Sequence, residues 1–131
     1  MTMRWLPGLA LLLAGCDSHP TQPRQTGGGD AQAGAVVFRR CAACHTLSSS
    51  GTDTAGPNLY GVVGDPIAAR RPRFAYTAAL QGLGGNWDRK RLDAWLADPR
   101  QLVPGTTMRF AGLRNPKDRA DVIAYLAANG D

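Results

Sequence analysis

At 131 residues the chain has room for one small domain plus appendages. Its net charge of +5 comes from thirteen Arg and two Lys set against ten Asp and no Glu, and 44% of its residues are apolar. No basic stretch is interleaved with aromatic residues and no nucleic-acid-binding motif is present, so the charge does not point to nucleic acid, and a core this small is marginal without something added to it.

Residues 1–15 read as a lipoprotein signal peptide. Arg4 supplies the positive start, and Leu6 to Ala14 form an apolar stretch well short of the roughly twenty residues that cross a bilayer. Leu13-Ala14-Gly15-Cys16 resembles the bacterial lipobox, in which the cysteine is lipidated and becomes the first residue of the mature protein. The competing reading is an ordinary signal followed by a chance cysteine or a free thiol. Acylation of Cys16 would supply the two or more chains that stable anchoring takes. In enteric bacteria an aspartate in the next place, here Asp17, implies retention at the inner membrane, so the expected location is its periplasmic face. Residues 17–30, DSHPTQPRQTGGGD, lack apolar periodicity, and with Cys16 they read as a tether with a reach of about 20 Å. His19 falls in this tether as a solvated linker residue.

The domain is expected over residues 31–131. Asp30 can cap a helix across 31–40, with Ala33, Val37 and Cys41 on one face. That helix leads into Cys41-Ala42-Ala43-Cys44-His45, the C-x-x-C-H pattern of covalent c-type haem attachment. On one helical turn each thiol can close a thioether with a haem vinyl group, and the imidazole that follows can ligate iron. The rivals are a dithiol redox pair, half of a zinc site, or two buried structural cysteines. A thioredoxin-like pair needs a βαβ context that this chain lacks. A closed zinc site normally takes four ligands, to which only Cys16 and His19 could add.

Loops follow through Ser48-Ser49-Ser50-Gly51, Gly56-Pro57-Asn58 and Gly61 to Pro66. A short helix is expected around Tyr76–Leu80. Asn86 is expected to cap another that carries Leu92, Trp95 and Leu96 on one face until Pro99 stops it. The last helix has Asn115 as cap, Pro116 at its first position, Asp118 in its first turn, a stripe of Val122, Tyr125 and Leu126, and Asn129-Gly130 as its close. No segment alternates as a strand. The pattern is an all-α domain of three main helices and a short one, with long loops wrapped around a cofactor.

Met1 and Met3 would leave with the signal, making Met108 the one methionine of the mature chain. A lone methionine ordinarily fills a gap in a core. Here it follows the turn Pro104-Gly105-Thr106-Thr107, and the C-x-x-C-H motif upstream makes it the candidate second ligand. A neutral, soft thioether favours Fe(II) and raises the reduction potential. With both axial places filled by protein, one-electron transfer is the chemistry left.

These residues resemble class I cytochrome c from about Gly34 to the C-terminus. Four motifs carry the resemblance in order: Cys41 to Thr46; Gly56-Pro57-Asn58-Leu59 with Gly61 and Gly64; Pro104 to Met108 with Phe110-Ala111-Gly112; and Arg119 to Leu126. It implies one covalent haem c, with His45 and Met108 as axial ligands and the first and last helices crossed, Gly34 and Phe38 near Val122 and Tyr125. It implies that the Pro57 carbonyl accepts the His45 Nδ1–H bond. It also implies that Tyr76 and Trp87 donate to a haem propionate and that Thr106 hydrogen-bonds near the methionine loop. Two places depart from the mitochondrial pattern. Asp65 stands where an arginine neutralises propionate charge, leaving Arg70, Arg71 or Arg73 as substitutes, and Trp95 stands where a tyrosine faces the methionine sulfur. Arg39, Arg40, Arg100, Arg109 and Arg114 take the place of the family's lysine ring around the haem edge, where they could steer redox partners with acidic docking surfaces; a generic solvated face is the bland alternative.

The function expected on that resemblance is a lipid-anchored one-electron carrier, not an enzyme and with no small-molecule substrate, working between membrane respiratory or photosynthetic complexes. A fixed haem-bearing relay subunit of a dehydrogenase or oxidase is the alternative.

Overall fold

A computed structural model describes residues 28–130. The expected signal peptide, Cys16 and His19 lie outside the described residues. Among the described residues five helices succeed one another: α1 (Ala31–Phe38), α2 (Ala78–Leu83), α3 (Arg89–Ala97), α4 (Pro99–Leu102) and α5 (Pro116–Ala128).

The α1 helix starts where expected, since the Asp30 carboxylate accepts from the Gln32 and Ala33 amides at 2.8 and 3.3 Å. It buries Gly34 and Phe38 rather than the Ala33–Val37–Cys41 face. The reason lies in α5. A Cβ at Gly34 would run into the Asp121 carbonyl and sit 2.8 Å from the Tyr125 Cβ, so only glycine lets the two backbones cross this closely. One turn on, the Phe38 and Tyr125 rings meet at 5.5 Å in a tilted pair. The contact extends back to Gly29, which is buried with no room for a Cβ beside the Ala120 carbonyl. The Asp30 amide also donates to Asp121 at 2.8 Å. Packing on α5 therefore begins inside the stretch read as tether, two residues before the expected boundary.

Two further expectations shift. The short helix runs Ala78–Leu83 instead of Tyr76–Leu80, because the Thr77 hydroxyl caps it, accepting from the Leu80 amide at 3.2 Å, and Gly84 at φ 63° ends it. Asp88, not Asn86, caps α3, with its carboxylate 2.7 Å from the Arg91 amide. Asn86 is drawn away by the segment 64–67: its side-chain amide donates to the Gly64 carbonyl at 3.0 Å, beside an isolated bridge to Pro66. Pro99 does stop α3, which ends at Ala97 with Asp98 extended before the proline, and it has a second role beyond the expected one. It opens α4, whose Arg100 and Gln101 amides donate to Asp98 at 3.1 Å each.

The α5 helix has the expected punctuation, with Asn115 accepting from Lys117 and Asn129 at its end. Arg119 ties it to α3 through Asp93 and to the preceding loop through the Leu113 carbonyl, both at 2.7 Å. The core gathers Phe38, Trp87, Leu92, Trp95, Leu96, Leu113, Val122, Ile123 and Leu126. There is no strand among the described residues.

Candidate haem site

One cavity of about 390 Å³ opens between this core and the loops. Cys41, Cys44, His45 and Met108 all line it. The chain continues past α1 in tight turns, with the Cys44 and His45 amides both donating to the Cys41 carbonyl at 3.0 and 2.9 Å. Those turns bring both thiols and the imidazole to the same wall. Burial pushes the Cys41 thiol above its ordinary value, partly opposed by the Arg40 charge. Cys44 is exposed.

The His45 ring is fixed on two sides. Its Nδ1 lies 2.7 Å from the Pro57 carbonyl. A carbonyl can only accept, so Nδ1 carries the proton and Nε2 keeps its lone pair. Gly56 presses against the ring, and a Cβ there would stand 2.7 Å from Nδ1 and 2.8 Å from Nε2. Burial pulls the His45 pKa below its usual value, and the Pro57 bond opposes that only in part. The imidazole is therefore neutral near pH 7, the form that binds metal. The Gly56 amide and the Thr54 hydroxyl, which both donate to the Cys44 carbonyl at 2.7 and 2.6 Å, fold the Pro57 loop back onto the attachment turn.

Met108 is presented by a turn in which Gly105 takes φ 95° and the Thr106 amide donates to the Val103 carbonyl at 3.1 Å. The Thr106 hydroxyl accepts from the Met108 amide at 3.2 Å, placing Thr106 beside the methionine loop. Tyr76, Trp87 and Trp95 also line the cavity. The two indoles lie 5.5 Å apart, tilted by 55°. Burial pushes the Tyr76 phenol upward; its oxygen also meets the Arg71 backbone, which pulls the other way.

Of the three arginines left as substitutes, Arg70 alone lines the cavity, where it covers Gly61 and pairs with Asp65. Arg71 is committed elsewhere, to Asp53 at 2.7 Å. All five arginines expected around the mouth are exposed. Arg40 and Arg109 line the cavity, with the Arg40 guanidinium 5.7 Å above the Phe110 ring, whereas Arg39, Arg100 and Arg114 do not. Sequence reasoning missed Asn58, which is buried under the Pro57 loop and donates to the Ser48 and Gly51 carbonyls at 2.8 Å each. It also missed Asp53, which accepts from the Asn58 amide at 2.9 Å.

The fit to haem is chemical as well as spatial. Aliphatic walls (Leu59, Val62, Leu80, Leu96, Leu126) suit a porphyrin face, paired thiols suit its vinyl groups, and Tyr76, Trp87 and Arg70 suit its carboxylates. Two thiols and an imidazole on the wall of an apolar cavity define a covalent haem protein.

The comparisons narrow that class. Residues 31–129 match the family model described as cytochrome c. A cytochrome c homolog from Bradyrhizobium diazoefficiens is 46% identical over 93 residues, covering 71% of this chain and 50% of its own length. Cytochrome c2 from Rhodomicrobium vannielii is 46% identical over 99 residues, covering 76% of this chain and 78% of its own. The solved structure of cytochrome cH from Methylobacterium extorquens superposes with a TM-score of 0.72 at 43% identity, covering 76% of this chain and 99% of that one. The chain belongs to the cytochrome c family. It carries covalent haem c, for which Cys41 and Cys44 supply the attachment motif, and its class is that of electron carriers.

Proposed function

We propose that the chain is a one-electron carrier in which His45 Nε2 and Met108 Sδ are the axial ligands, held through Cys16 at the periplasmic face of the inner membrane and passing electrons between membrane respiratory or photosynthetic complexes. The observation that carries the ligand assignment is the shared cavity: the two thiols, the thioether and an imidazole with its Nδ1 already committed to Pro57 all face it. Bound haem supplies the one-electron couple. The protein holds the imidazole neutral and oriented, brings up a soft thioether that favours the reduced iron, and surrounds both with apolar walls that limit water. With His45 and Met108 holding bound haem, the site would exchange electrons without exchanging ligands.

Arg40 and Arg109, exposed at the cavity, suit acidic faces on redox protein partners, and such pairing acts mainly on association rates. Anchoring rests on the Leu13-Ala14-Gly15-Cys16 sequence, and residues 17–28 give the leash a reach of roughly 20 Å.

The test is an absorption spectrum of the purified holoprotein beside its Met108→Ala variant. The oxidised protein should show the weak near-infrared band of sulfur-to-iron charge transfer, and the reduced protein should not take up carbon monoxide. The variant should lose the band, bind carbon monoxide and have a lower potential. An unchanged spectrum in the variant would remove Met108 from the site. Mass spectrometry of the membrane-extracted N-terminus tests the anchor, where an unmodified Cys16 refutes it.

A further inference from the structure

We propose that Asp53 is a positioning residue for the haem site: one carboxylate clasps the loop that carries Pro57 to the segment that carries Tyr76, and so couples the histidine side of the cavity to its polar end. The proposal rests on the reading of His45 as an iron ligand.

A single oxygen, Asp53 Oδ1, accepts from two sides. The Asn58 amide donates to it at 2.9 Å, one residue after the Pro57 carbonyl that holds His45. The Arg71 Nε donates to it at 2.7 Å from a segment eighteen residues further along. Arg71 also reaches the Gly51 carbonyl at 3.4 Å, the same carbonyl that receives the Asn58 side chain at 2.8 Å. The Arg71 carbonyl in turn accepts from the Phe74 amide, and the Phe74 carbonyl from the amide of Tyr76, each at 2.9 Å, and Tyr76 lines the cavity. The path from His45 to Tyr76 thus runs through Pro57, Asn58, Asp53, Arg71 and Phe74, by hydrogen bonds joined through covalent steps.

No other contact described in the structure ties these two segments by a charged pair. The Asp53 and Arg71 side chains are 21% and 32% exposed, so the pair is only partly screened by water. Partial burial pushes the Asp53 carboxyl up, but the Asn58 amide and the Arg71 guanidinium outweigh it and leave the group below its ordinary value. It is a carboxylate wherever the protein works. An outer partner of this kind sets how firmly a ligating histidine's Nδ1–H bond is held, and through it the basicity of the ligand.

Loosening the clasp should lengthen the bond from His45 to Pro57, making the imidazole a weaker donor to ferric iron and the potential higher. Pure electrostatics predicts something else: loss of the Asp53 charge raises the potential and loss of the Arg71 charge lowers it. The experiment is therefore carried out on the holoprotein with Asp53→Ala, Arg71→Ala and the gentler Asp53→Asn. Potentials are measured at about 1 M salt, where the screening length is about 3 Å. Exchange of the His45 Nδ1 proton is followed by NMR. Expected are upward shifts in both alanine variants and an exchange rate raised roughly fivefold, the factor that about one weakened hydrogen bond corresponds to. Asp53→Asn keeps an acceptor for Asn58 and should lie between them and the wild type. Shifts of opposite sign, or melting temperatures that fall while potential and exchange stay put, overturn the clasp and leave the ligand assignment standing. A wild-type holoprotein without the spectrum of His and Met ligation overturns both.

Discussion

Replacing Gly56 by alanine tests the geometry of the site at its tightest point. The added methyl would stand 2.7 Å from His45 Nδ1 and 2.8 Å from Nε2, against ordinary contacts of about 3.5–4.0 Å. Either the ring or the loop must give way by most of an ångström. The ring has little freedom, because Nδ1 is held at 2.7 Å by Pro57 and its neighbour Cys44 is an attachment residue. The loop has little either, since the Gly56 amide is bonded to the Cys44 carbonyl at 2.7 Å. Overpacking of this kind costs about 1–3 kcal/mol, and in a domain of this size each kcal/mol lowers the melting temperature by about 4–8 °C. Thermal melting of the oxidised Gly56→Ala holoprotein should therefore start at least about 5 °C lower. The near-infrared band should shift or weaken as the imidazole tilts. A variant that keeps both the wild-type melt and the wild-type spectrum would show that Gly56 does not define the position of His45, and the account of the ligand wall would fail.

Three other outcomes follow from the same contacts. Gly34→Val should push α1 off α5 at the Asp121 carbonyl and lower denaturant stability by at least about 2 kcal/mol, more than valine's slightly better helix propensity can offset. For Asp121, burial pushes the carboxyl up, but the Asp30 amide and the Lys117 ammonium outweigh it, so its folded pKa lies below the ordinary value. Its contribution is complete above the unfolded value of about 3.9 and is lost as pH falls through the folded one. Urea titrations at pH 6 and pH 3 should show wild type losing more stability than Asp121→Asn over that interval. Tyr76→Phe keeps the cavity wall but removes a donor, so the potential should fall while stability changes by no more than about 1.5 kcal/mol.

What could be read from the sequence was local. The attachment motif, the Pro-Gly-Thr-Thr-Met turn and the caps of α1 and α5 each lie within a few residues, and each occupies its expected place. Periodicity gives the wrong buried face of α1, because in AQAGAVVF almost every position is small or apolar and no side stands out, whereas the family resemblance places Gly34 and Phe38 against Tyr125 correctly. Gly34 faces α5 only because α5 is there. Asn86 and Asp88 are both good caps two residues apart. The choice fell to Asp88 because Asn86 is used by Gly64, twenty-two residues away. Pro99 stops α3 as its sequence place suggests, but its second role as the first residue of α4 depends on the Asp98 carboxylate capping the amides beyond it. Asp53 stands in a run of Ser, Thr and Gly that looks like solvated loop, and its meaning arrives with Arg71 from the far side of the Gly61 to Pro66 turns.

The tandem arginines at 70 and 71 bear on how charge is placed around the cavity. Each is taken by an aspartate from a different loop: Arg70 by Asp65 and Arg71 by Asp53. The family's pattern has a cation at position 65 to balance a propionate, and the sequence itself departs from it. Instead, Asp65 stands there and Arg70 comes to the cavity already paired. A neutral pair with side chains 36% and 28% exposed adds about 1 kcal/mol or less to stability and leaves little net charge to act on the site. On the proposed reading, the neutral donors Tyr76 and Trp87, which both line the cavity, would take over the work of holding a haem carboxylate. Arg40 and Arg109 are different, since both are exposed at the cavity and no carboxylate is described beside either. Ionic strength should therefore act on the rate at which partners arrive far more than on the potential at which they exchange an electron.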